Sequence, residues 1–224
     1  MTEGTPEGTH PLAIPDAITA ELDFRAVRRK GVGGSDVAAI LGIHPYRSAH
    51  DVWLDKMGLA EKVENEAMLW GKLLEPLILG EYERRERVRL VRFSYPQSLF
   101  RHPQHPWMIG NLDALAPEAR VGIDAKSTNW RQAHRWGDPG TDEMPEEVIC
   151  QVQWYAAILA DSIDRFDVAL LLGQELRVYR VGPNADLQQA MIDICGEWWE
   201  VHVIGMTPPP ADALTMTGYW MRRA

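Results

Sequence analysis

The stretch 108–126 constrains this chain most, because charged side chains interrupt a pattern that is otherwise typical of buried strands. Residues 108–115 alternate in polarity and end near a proline and a glutamate that suit a turn, so they predict a first strand. The segment after the turn predicts a second strand, in which alternation places Asp124 and Lys126 on the same face. Because Asp113 lies on the first strand, the predicted hairpin brings two carboxylates and a lysine to one edge of a small sheet.

These residue types supply what a divalent cation and a phosphate group require. Hard cations such as Mg²⁺ bind oxygen ligands, and a phosphate under attack is stabilised by nearby positive charge. Glu75 is a third carboxylate, on a predicted long helix, and its apolar neighbours Leu73 and Leu77 disfavour an exposed position. A lysine close to a metal and a phosphate can have a lowered pKa and accept a proton. The same residues also have simpler interpretations, since Asp124 and Lys126 are compatible with a surface ion pair of little energetic value.

Length and composition indicate one soluble domain. The chain has 224 residues, 46% of them hydrophobic, which is enough for a complete core. Two cysteines are too few for a four-thiolate zinc or iron–sulfur site. The first residues lack the basic and apolar regions of a signal peptide, and no apolar run is long enough to span a membrane, so we expect a cytoplasmic protein of a bacterial host cell. The predicted parts are a disordered tail at 1–14, a domain at 15–206 (N-terminal helices at 15–60, core at 65–205) and a C-terminal tail at 207–224.

The formal net charge of −9 is unfavourable for a protein that simply coats nucleic acid. It does not exclude a nuclease, because the local potential of a cleft decides binding and a bound metal adds positive charge.

The remaining pattern predicts an α/β fold, with a small mixed central sheet flanked by helices and a helical N-terminal segment. Predicted helices are at 16–29, 36–41, 49–58, 65–87, 145–159 and 186–204, and predicted strands are at 88–93, 108–115, 121–126, 166–172 and 176–181. Residues 94–106 and 128–145 are predicted as loops. Ser35 and Ser48 are predicted N-caps, and Pro76 is expected to interrupt and kink the long helix.

Several short blocks in a fixed order carry a resemblance. They are Gly33-Gly34-Ser35-Asp36 with Ile40-Leu41-Gly42 and Pro45-Tyr46, then Trp70-Gly71 and Leu74-Glu75-Pro76, then Asn111-Leu112-Asp113, then Asp124-Ala125-Lys126, then Gln151-Val152-Gln153 with Tyr155. Over about residues 25–181 the chain resembles the YqaJ-type viral recombinases, which are lambda exonuclease-like members of the PD-(D/E)xK nuclease superfamily. Asp-x-Lys by itself would be a weak signal, and the ordered blocks make it specific. The resemblance implies a restriction-endonuclease-like core.

The resemblance also implies roles for individual residues. Glu75, Asp113 and Asp124 match metal-binding acids, with the backbone carbonyl of Ala125 as a further ligand. Lys126 matches the lysine that orients or activates the attacking water. The implied catalytic set is therefore Glu75, Asp113, Asp124, Lys126, Gln151 and Tyr155, and the implied substrate-binding set is Arg28 or Arg29 together with Ser35, which would hold a 5′-phosphate end. Relatives commonly have Glu at the position of Asp124, and the shorter acid would move the metal by about one methylene.

The implied function is a Mg²⁺-dependent DNA exonuclease of phage-type recombination, with Mn²⁺ as a substitute ion. By resemblance it would act from 5′ to 3′ on double-stranded DNA ends, pair with a single-strand annealing protein and form a homo-oligomer such as a ring-shaped trimer, with no membrane association. One alternative is a structure-specific or restriction-type endonuclease of the same superfamily. Another is a non-catalytic module that binds DNA ends. Separately from these alternatives, the spacing of Gln151 and Tyr155, four residues apart, is equally compatible with a helix packing pair.

Overall fold

The structure is a computed structural model that describes residues 24–60 and 65–211. Its helices are α1 (Gly34–Ile40), α2 (Ala49–Lys56), α3 (Glu66–Glu86), α4 (Glu146–Leu159) and α5 (Ala185–Trp198). Its strands are β1 (Val32–Gly33), β2 (Val91–Arg92), β3 (Leu99–Arg101), β4 (Met108–Asn111), β5 (Ala114–Ala116), β6 (Val121–Thr128), β7 (Arg165–Leu172) and β8 (Glu175–Val181). Short 3₁₀ helices occupy Pro117–Ala119, Trp130–Arg135 and Ala160–Ser162, and a π-helix at Trp199–Ile204 follows α5.

Some predicted segments fall outside these ranges. The predicted disordered tail at 1–14 lies outside the described residues, as does 212–224 of the predicted C-terminal tail. Of the predicted helix at 16–29, residues 24–29 are described; residues 24–28 are helical and residue 29 is in a turn. The division of the chain into one domain with two tails stays a prediction. Within the described ranges, none of the helices combines the length and the apolar character needed to cross a membrane.

The strands of the described residues form two sheets. The larger has the order β2-β5-β6-β7-β8, in which β6 and β7 are parallel and the other neighbours are antiparallel. The smaller has the order β1-β4-β3, with β1 and β4 parallel. The predicted fold class, a small mixed sheet flanked by helices, is confirmed.

Both faces of the larger sheet are covered by helices. On one face α3 packs Ile78 and Tyr82 into a cluster with Ile123 of β6. On the other face Val168 and Leu170 of β7 belong to the core formed with α4 and α5. A strand buried on both faces has a nearly continuous apolar sequence, which explains why β7 lacks a clear alternation.

The predicted strand 108–115 is wrong as a single strand. Its first half, β4, belongs to the smaller sheet, and its second half, β5, belongs to the larger one. Between them the Leu112 amide donates to the Ser98 carbonyl at 2.9 Å, and the Asp113 carbonyl accepts from the Phe93 amide at 3.1 Å. Alternating polarity continues through this crossing, so local sequence could not reveal the change of sheet. Asp113 therefore stands where the two sheets meet.

Other boundaries also differ from prediction. The predicted loop 94–106 contains β3, which gains its strand geometry by pairing with β4. The predicted strand 88–93 is reduced to β2, two residues at the edge of the larger sheet. The predicted loop 128–145 opens with a 3₁₀ helix, Trp130–Arg135.

The two predicted serine caps have different outcomes. Ser48 caps α2 as predicted, since its hydroxyl accepts from the Asp51 amide at 3.1 Å. Ser35 is not a cap, because α1 begins at Gly34, two residues earlier than predicted, and Gly33 is its N-cap. The Asp36 carboxylate accepts from the Gly33 amide at 2.9 Å and so satisfies the backbone donor at the helix start.

Helix α3 differs from expectation in two ways. It runs through Pro76 as one continuous helix, so the predicted interruption is wrong. In addition, its apolar residues are not all buried, although Ile78, Leu79 and Tyr82 are. The exposed apolar face of α3 consists of residues that are each more than half exposed: Leu69, Trp70, Leu73 and Leu77.

Candidate active site

A cavity of about 320 Å³ lies where α3, β6, α4 and the start of α1 meet. Its lining includes every residue that was predicted as catalytic: Glu75, Asp113, Asp124, Lys126, Gln151 and Tyr155. Ala125, the predicted backbone ligand, also lines it. These residues come from four separate segments, so the topology gathers them into one place.

Strand β6 carries Asp124 and Lys126 into the cavity. Parallel pairing with β7 holds this strand along its whole length, and antiparallel pairing with β5 holds its first three residues on the other side. Asp124 is only 1% exposed, and its Oδ2 lies 2.7 Å from the ammonium of Lys126. The Lys126 side chain is 28% exposed, so the cation lies at the cavity surface above a buried carboxylate.

Asp113 reaches the same place from the crossing between the sheets. Its Oδ2 accepts a hydrogen bond from the backbone amide of Ala125 at 2.9 Å. The bond fixes this carboxylate against β6, beside Asp124. Asp113 lies on the irregular segment between β4 and β5, but the backbone of the central strand β6 holds its side chain in place.

The acids raise one another's affinity for protons. Burial and the neighbouring Asp124 raise the pKa of Asp113 to about 8. Burial and Asp124 also raise the pKa of Glu75 above its usual value. Burial would lower the pKa of Lys126, but Asp124 and Asp113 outweigh it, so the pKa of this ammonium is raised. Without a metal, the site therefore holds an excess of negative charge that favours bound protons or a bound cation.

Helix α4 adds an amide and a phenol to the cavity wall. Gln151 and Tyr155 are four residues apart and share a helix face. The Gln151 Nε2 donates to Asp124 Oδ1 at 3.2 Å and to the Tyr155 hydroxyl at 2.9 Å. Burial and Asp124 raise the pKa of Tyr155, so the phenol is neutral at ordinary pH. Gln151 therefore links Asp124 to the phenol.

The start of α1 contributes Arg28 and Ser35 to the cavity lining. Arg28 Nη2 donates to the Ser35 hydroxyl at 2.9 Å, so the two side chains form one polar unit. Arg29 points elsewhere, since its guanidinium lies next to Gly58, outside the residues that line the cavity. Of the two arginines predicted for substrate binding, the structure brings only Arg28 to the site.

Two residues at the site were missed by the sequence analysis. Asn111 lines the cavity, and its Oδ1 is buried without a hydrogen-bond partner among the described residues. Asp36 lies beside Arg28 and is 0% exposed. Burial would raise the pKa of Asp36, but Lys56, Arg47 and Arg28 together hold it well below its usual range. The Gly-Gly-Ser-Asp block contained this acid, but its cations follow 11 and 20 residues later, beyond any local pattern.

The residues present suit a divalent metal by the chemistry of their donors. Three carboxylates line one cavity, and Asp124 Oδ2 has no hydrogen-bond partner among the described residues beyond its ion pair with Lys126. Such oxygen-rich, negatively charged surroundings are what Mg²⁺ prefers. In the described ranges, no three His, Cys, Asp or Glu side chains are already arranged to hold a metal ion.

Comparison with known proteins agrees with this architecture. The chain is 28% identical over 199 residues to the YqaJ protein of Bacillus subtilis, covering 88% of this chain and 60% of that protein. It therefore spans about three fifths of that relative's length. Among solved structures, the alkaline exonuclease LHK-Exo from Laribacter hongkongensis superposes with a TM-score of 0.64 at 16% identity, covering 90% of this chain and 96% of that one. A phage related exonuclease from Haemophilus somnus gives 0.59 at 13% identity, covering 82% and 100%.

The structural likenesses support the fold, a mixed α/β core with helices on both faces of the sheet. The sequence shows the family, because residues 23–161 match the sequence profile of the YqaJ-like viral recombinase domain. That range holds the cavity and all of its predicted residues. The chain belongs to the YqaJ-like viral recombinase domain family.

Proposed function

We propose that this protein is a Mg²⁺-dependent deoxyribonuclease that hydrolyses phosphodiesters from the ends of duplex DNA, from 5′ to 3′, in phage-type recombination. One observation carries the proposal: Glu75, Asp113 and Asp124 come from separate segments and line one cavity with Lys126. The two superposed structures are those of exonucleases, which supports the same activity.

The acids would hold the metal, with the carbonyl of Ala125 as a further ligand and with Mn²⁺ as a substitute ion. When bound, such an ion neutralises charge on the attacked phosphate and lowers the pKa of a bound water. Asp113 is oriented for this task by the Ala125 amide, and Asp124 by the amide of Gln151. Both carboxylates are thus supported by a hydrogen bond that leaves another oxygen for the ion.

Lys126 would act as a cation rather than as a base. The raised pKa of its ammonium keeps the proton at neutral pH. Its position 2.7 Å from Asp124 places it at the edge of the acid cluster, where it can donate to a phosphate oxygen or to the attacking water. This differs from the sequence-based expectation of a lowered pKa, because the neighbouring carboxylates dominate.

Gln151 and Tyr155 would orient the acids. The Gln151 amide is shared between Asp124 and the phenol, so its donor group is fixed toward the carboxylate. The neutral Tyr155 hydroxyl accepts from Gln151 and keeps its own proton for donation. A phosphate oxygen in the cavity is a suitable acceptor for that proton.

Arg28 and Ser35 would bind the 5′-phosphate of the DNA end. An arginine fork matches the oxygens of a phosphate, and the hydroxyl of Ser35 already aligns the fork. Because these residues line the same cavity as the acids, the terminal phosphate would lie within one site with the scissile bond.

The proposed partners are double-stranded DNA ends, a single-strand annealing protein and further copies of the chain. Self-association into an oligomer such as a ring-shaped trimer is supported by the exposed apolar face of α3, which is unusual for an isolated surface. A ring around DNA would make digestion processive.

The test uses end-labelled linear duplexes with 5′-phosphate or 5′-hydroxyl ends, with and without Mg²⁺, beside a closed circular plasmid. We expect Mg²⁺-dependent release of nucleotides from the linear ends and an intact circle. Cleavage of the circle would identify an endonuclease instead. The absence of products with either Mg²⁺ or Mn²⁺ would identify a non-catalytic module that binds DNA ends.

A further inference from the structure

Asp36 and Lys56 are charged side chains that are both 0% exposed, and they lie next to the cavity wall formed by Arg28 and Ser35. Lys56 Nζ lies 2.6 Å from Asp36 Oδ2. Because neither side chain reaches the surface, neither can contact DNA. Any effect of this pair on the substrate must pass through its neighbours.

The contacts of the pair lead to Arg28. Lys56 Nζ also donates to the Arg28 carbonyl at 3.0 Å, and Asp36 Oδ1 lies 3.5 Å from Arg28 Nη2. The same Oδ1 accepts from Arg47 Nη1 at 2.6 Å, while Oδ2 also accepts from the Gly33 amide at 2.9 Å. The pair thus holds Arg28 by its backbone and by its guanidinium. The side chain of Arg28 remains 30% exposed on the cavity side of this network.

We propose that Asp36 and Lys56 form a buried positioning pair that fixes Arg28 for recognition of the terminal 5′-phosphate. The proposal rests on the function proposed above. It adds that preference for a phosphorylated DNA end depends on two residues that never touch the DNA.

A purely structural role is the competing explanation. A buried ion pair is weak support for stability, since replacement by neutral groups of similar volume is often tolerated, whereas removal of one partner is strongly destabilising. By this rule the pair adds little net stability, and its contacts with the Arg28 carbonyl and guanidinium support a role in placing Arg28. The two explanations differ in one measurable quantity, the ratio of kcat/KM for 5′-phosphorylated ends to kcat/KM for 5′-hydroxyl ends.

The deciding variant is the double substitution Asp36→Asn with Lys56→Met. The asparagine oxygen can still accept from the Gly33 amide, and methionine retains most of the lysine stem. The double variant removes one negative and one positive charge, so the long-range attraction for phosphate is kept. We expect the ratio to fall by roughly tenfold or more, because a displaced binding group loses its alignment with the substrate.

Tyr82→Phe is the matched control. It removes a hydroxyl that donates at 2.8 Å to Asp167, another fully buried carboxylate, which lies outside the cavity lining. This control should lower the melting temperature and leave the ratio at the value of the parent protein. A double variant with an unchanged ratio, in a protein whose ratio is lost on Arg28→Ala, would overturn the positioning role and leave the proposed function standing.

A parent protein that digests both ends equally would instead refute the terminal-phosphate site itself. If the double variant fails to fold, Lys56→Met decides, because Asp36 then keeps both arginines as partners. Lys56→Met still removes the hydrogen bond to the Arg28 carbonyl. Its ratio should therefore stay below that of the parent protein at the same salt concentration, since screening does not restore a displaced Arg28. If the Lys56→Met variant and the parent protein have the same ratio at high salt, only the charge of Lys56 mattered, and the proposal is overturned.

Discussion

Gly34 lies against the ring of Tyr155 so closely that a Cβ built on the glycine would be 2.6 Å from Cε1 of the tyrosine. Along the same edge of the ring, a Cβ on Gly110 would be 3.0 Å from Cδ1. Two glycines from different elements therefore make room for one aromatic side chain. The ring carries the hydroxyl that accepts from Gln151, so the glycines position the polar link to Asp124.

Gly34→Ala should destabilise the protein by about 1–3 kcal/mol and reduce cleavage, because the added methyl forces Tyr155 and Gln151 away from Asp124. Thermal unfolding and digestion of linear duplex DNA measure the two effects. Gly71→Ala is the control for stability. No atom lies within 4 Å of a Cβ at Gly71, which is inside α3, so this change should stabilise the protein by about 0.5–1 kcal/mol. Equal stability of Gly34→Ala and the parent would contradict the close packing.

Lys126→Ala should retain folding and DNA binding and lose cleavage by roughly 100- to 10,000-fold, the usual range for a group that assists proton transfer or orientation. Single-turnover digestion at saturating protein separates the chemical step from binding. Lys72→Ala removes the same charge from an exposed position outside the cavity lining and should cleave at the parent rate. Turnover by Lys126→Ala equal to that of Lys72→Ala would remove Lys126 from the mechanism.

Asp113→Asn should change how stability depends on pH in the metal-free protein. The folded pKa of about 8 exceeds the ordinary value, so folding favours the protonated acid. This contribution to stability is complete below about pH 4 and is lost as the pH rises through 8. The variant should therefore gain stability relative to the parent between pH 5 and pH 9, by roughly 4 kcal/mol, because the parent loses about 1.4 kcal/mol for each pH unit up to its folded pKa.

Melting temperatures at both pH values, with a chelator present, measure this gain. Asparagine can still accept from the Ala125 amide, so the variant tests the charge rather than the hydrogen bond. Added Mg²⁺ should stabilise the parent at pH 9 and have little effect on the variant. A constant difference between the two proteins across the pH range would show that Asp113 ionises normally.

Arg28→Ala and Arg29→Ala should behave differently, although the two arginines are adjacent in sequence. Arg28→Ala should slow digestion of 5′-phosphorylated ends by roughly tenfold or more and largely remove the preference over 5′-hydroxyl ends. Arg29→Ala should keep the parent preference, because its guanidinium lies next to Gly58. Parallel rates on the two substrates test both variants. The assignment fails if Arg29→Ala loses the preference and Arg28→Ala keeps it.

Leu73→Glu should break self-association, because it places a charge in the exposed apolar face of α3. Sedimentation velocity should show an oligomer for the parent and a monomer for the variant. Leu59→Glu is the matched control, since Leu59 is 63% exposed and lies outside α3. A parent that sediments as a monomer at all concentrations would refute the oligomer.

The sequence by itself determined which reactive side chains the site contains and which family the chain belongs to. Alternation in β6 placed Asp124 and Lys126 on one face, and the spacing of Gln151 and Tyr155 placed both on one side of α4. These periodicities are local, so they hold whatever the rest of the chain does. The order of the blocks then identified the residues that line the cavity.

Only the tertiary structure decided how those residues are supported. The crossing of the chain between two sheets at Asp113 depends on pairing with distant strands. The choice of Arg28 over Arg29 and the burial of Asp36 among cations from other segments depend on where α1 and α2 meet. The exposure of Leu73 depends on which side of α3 faces the sheet. In each case the deciding contact joins residues far apart in sequence, and a local pattern specifies a face but not its partner.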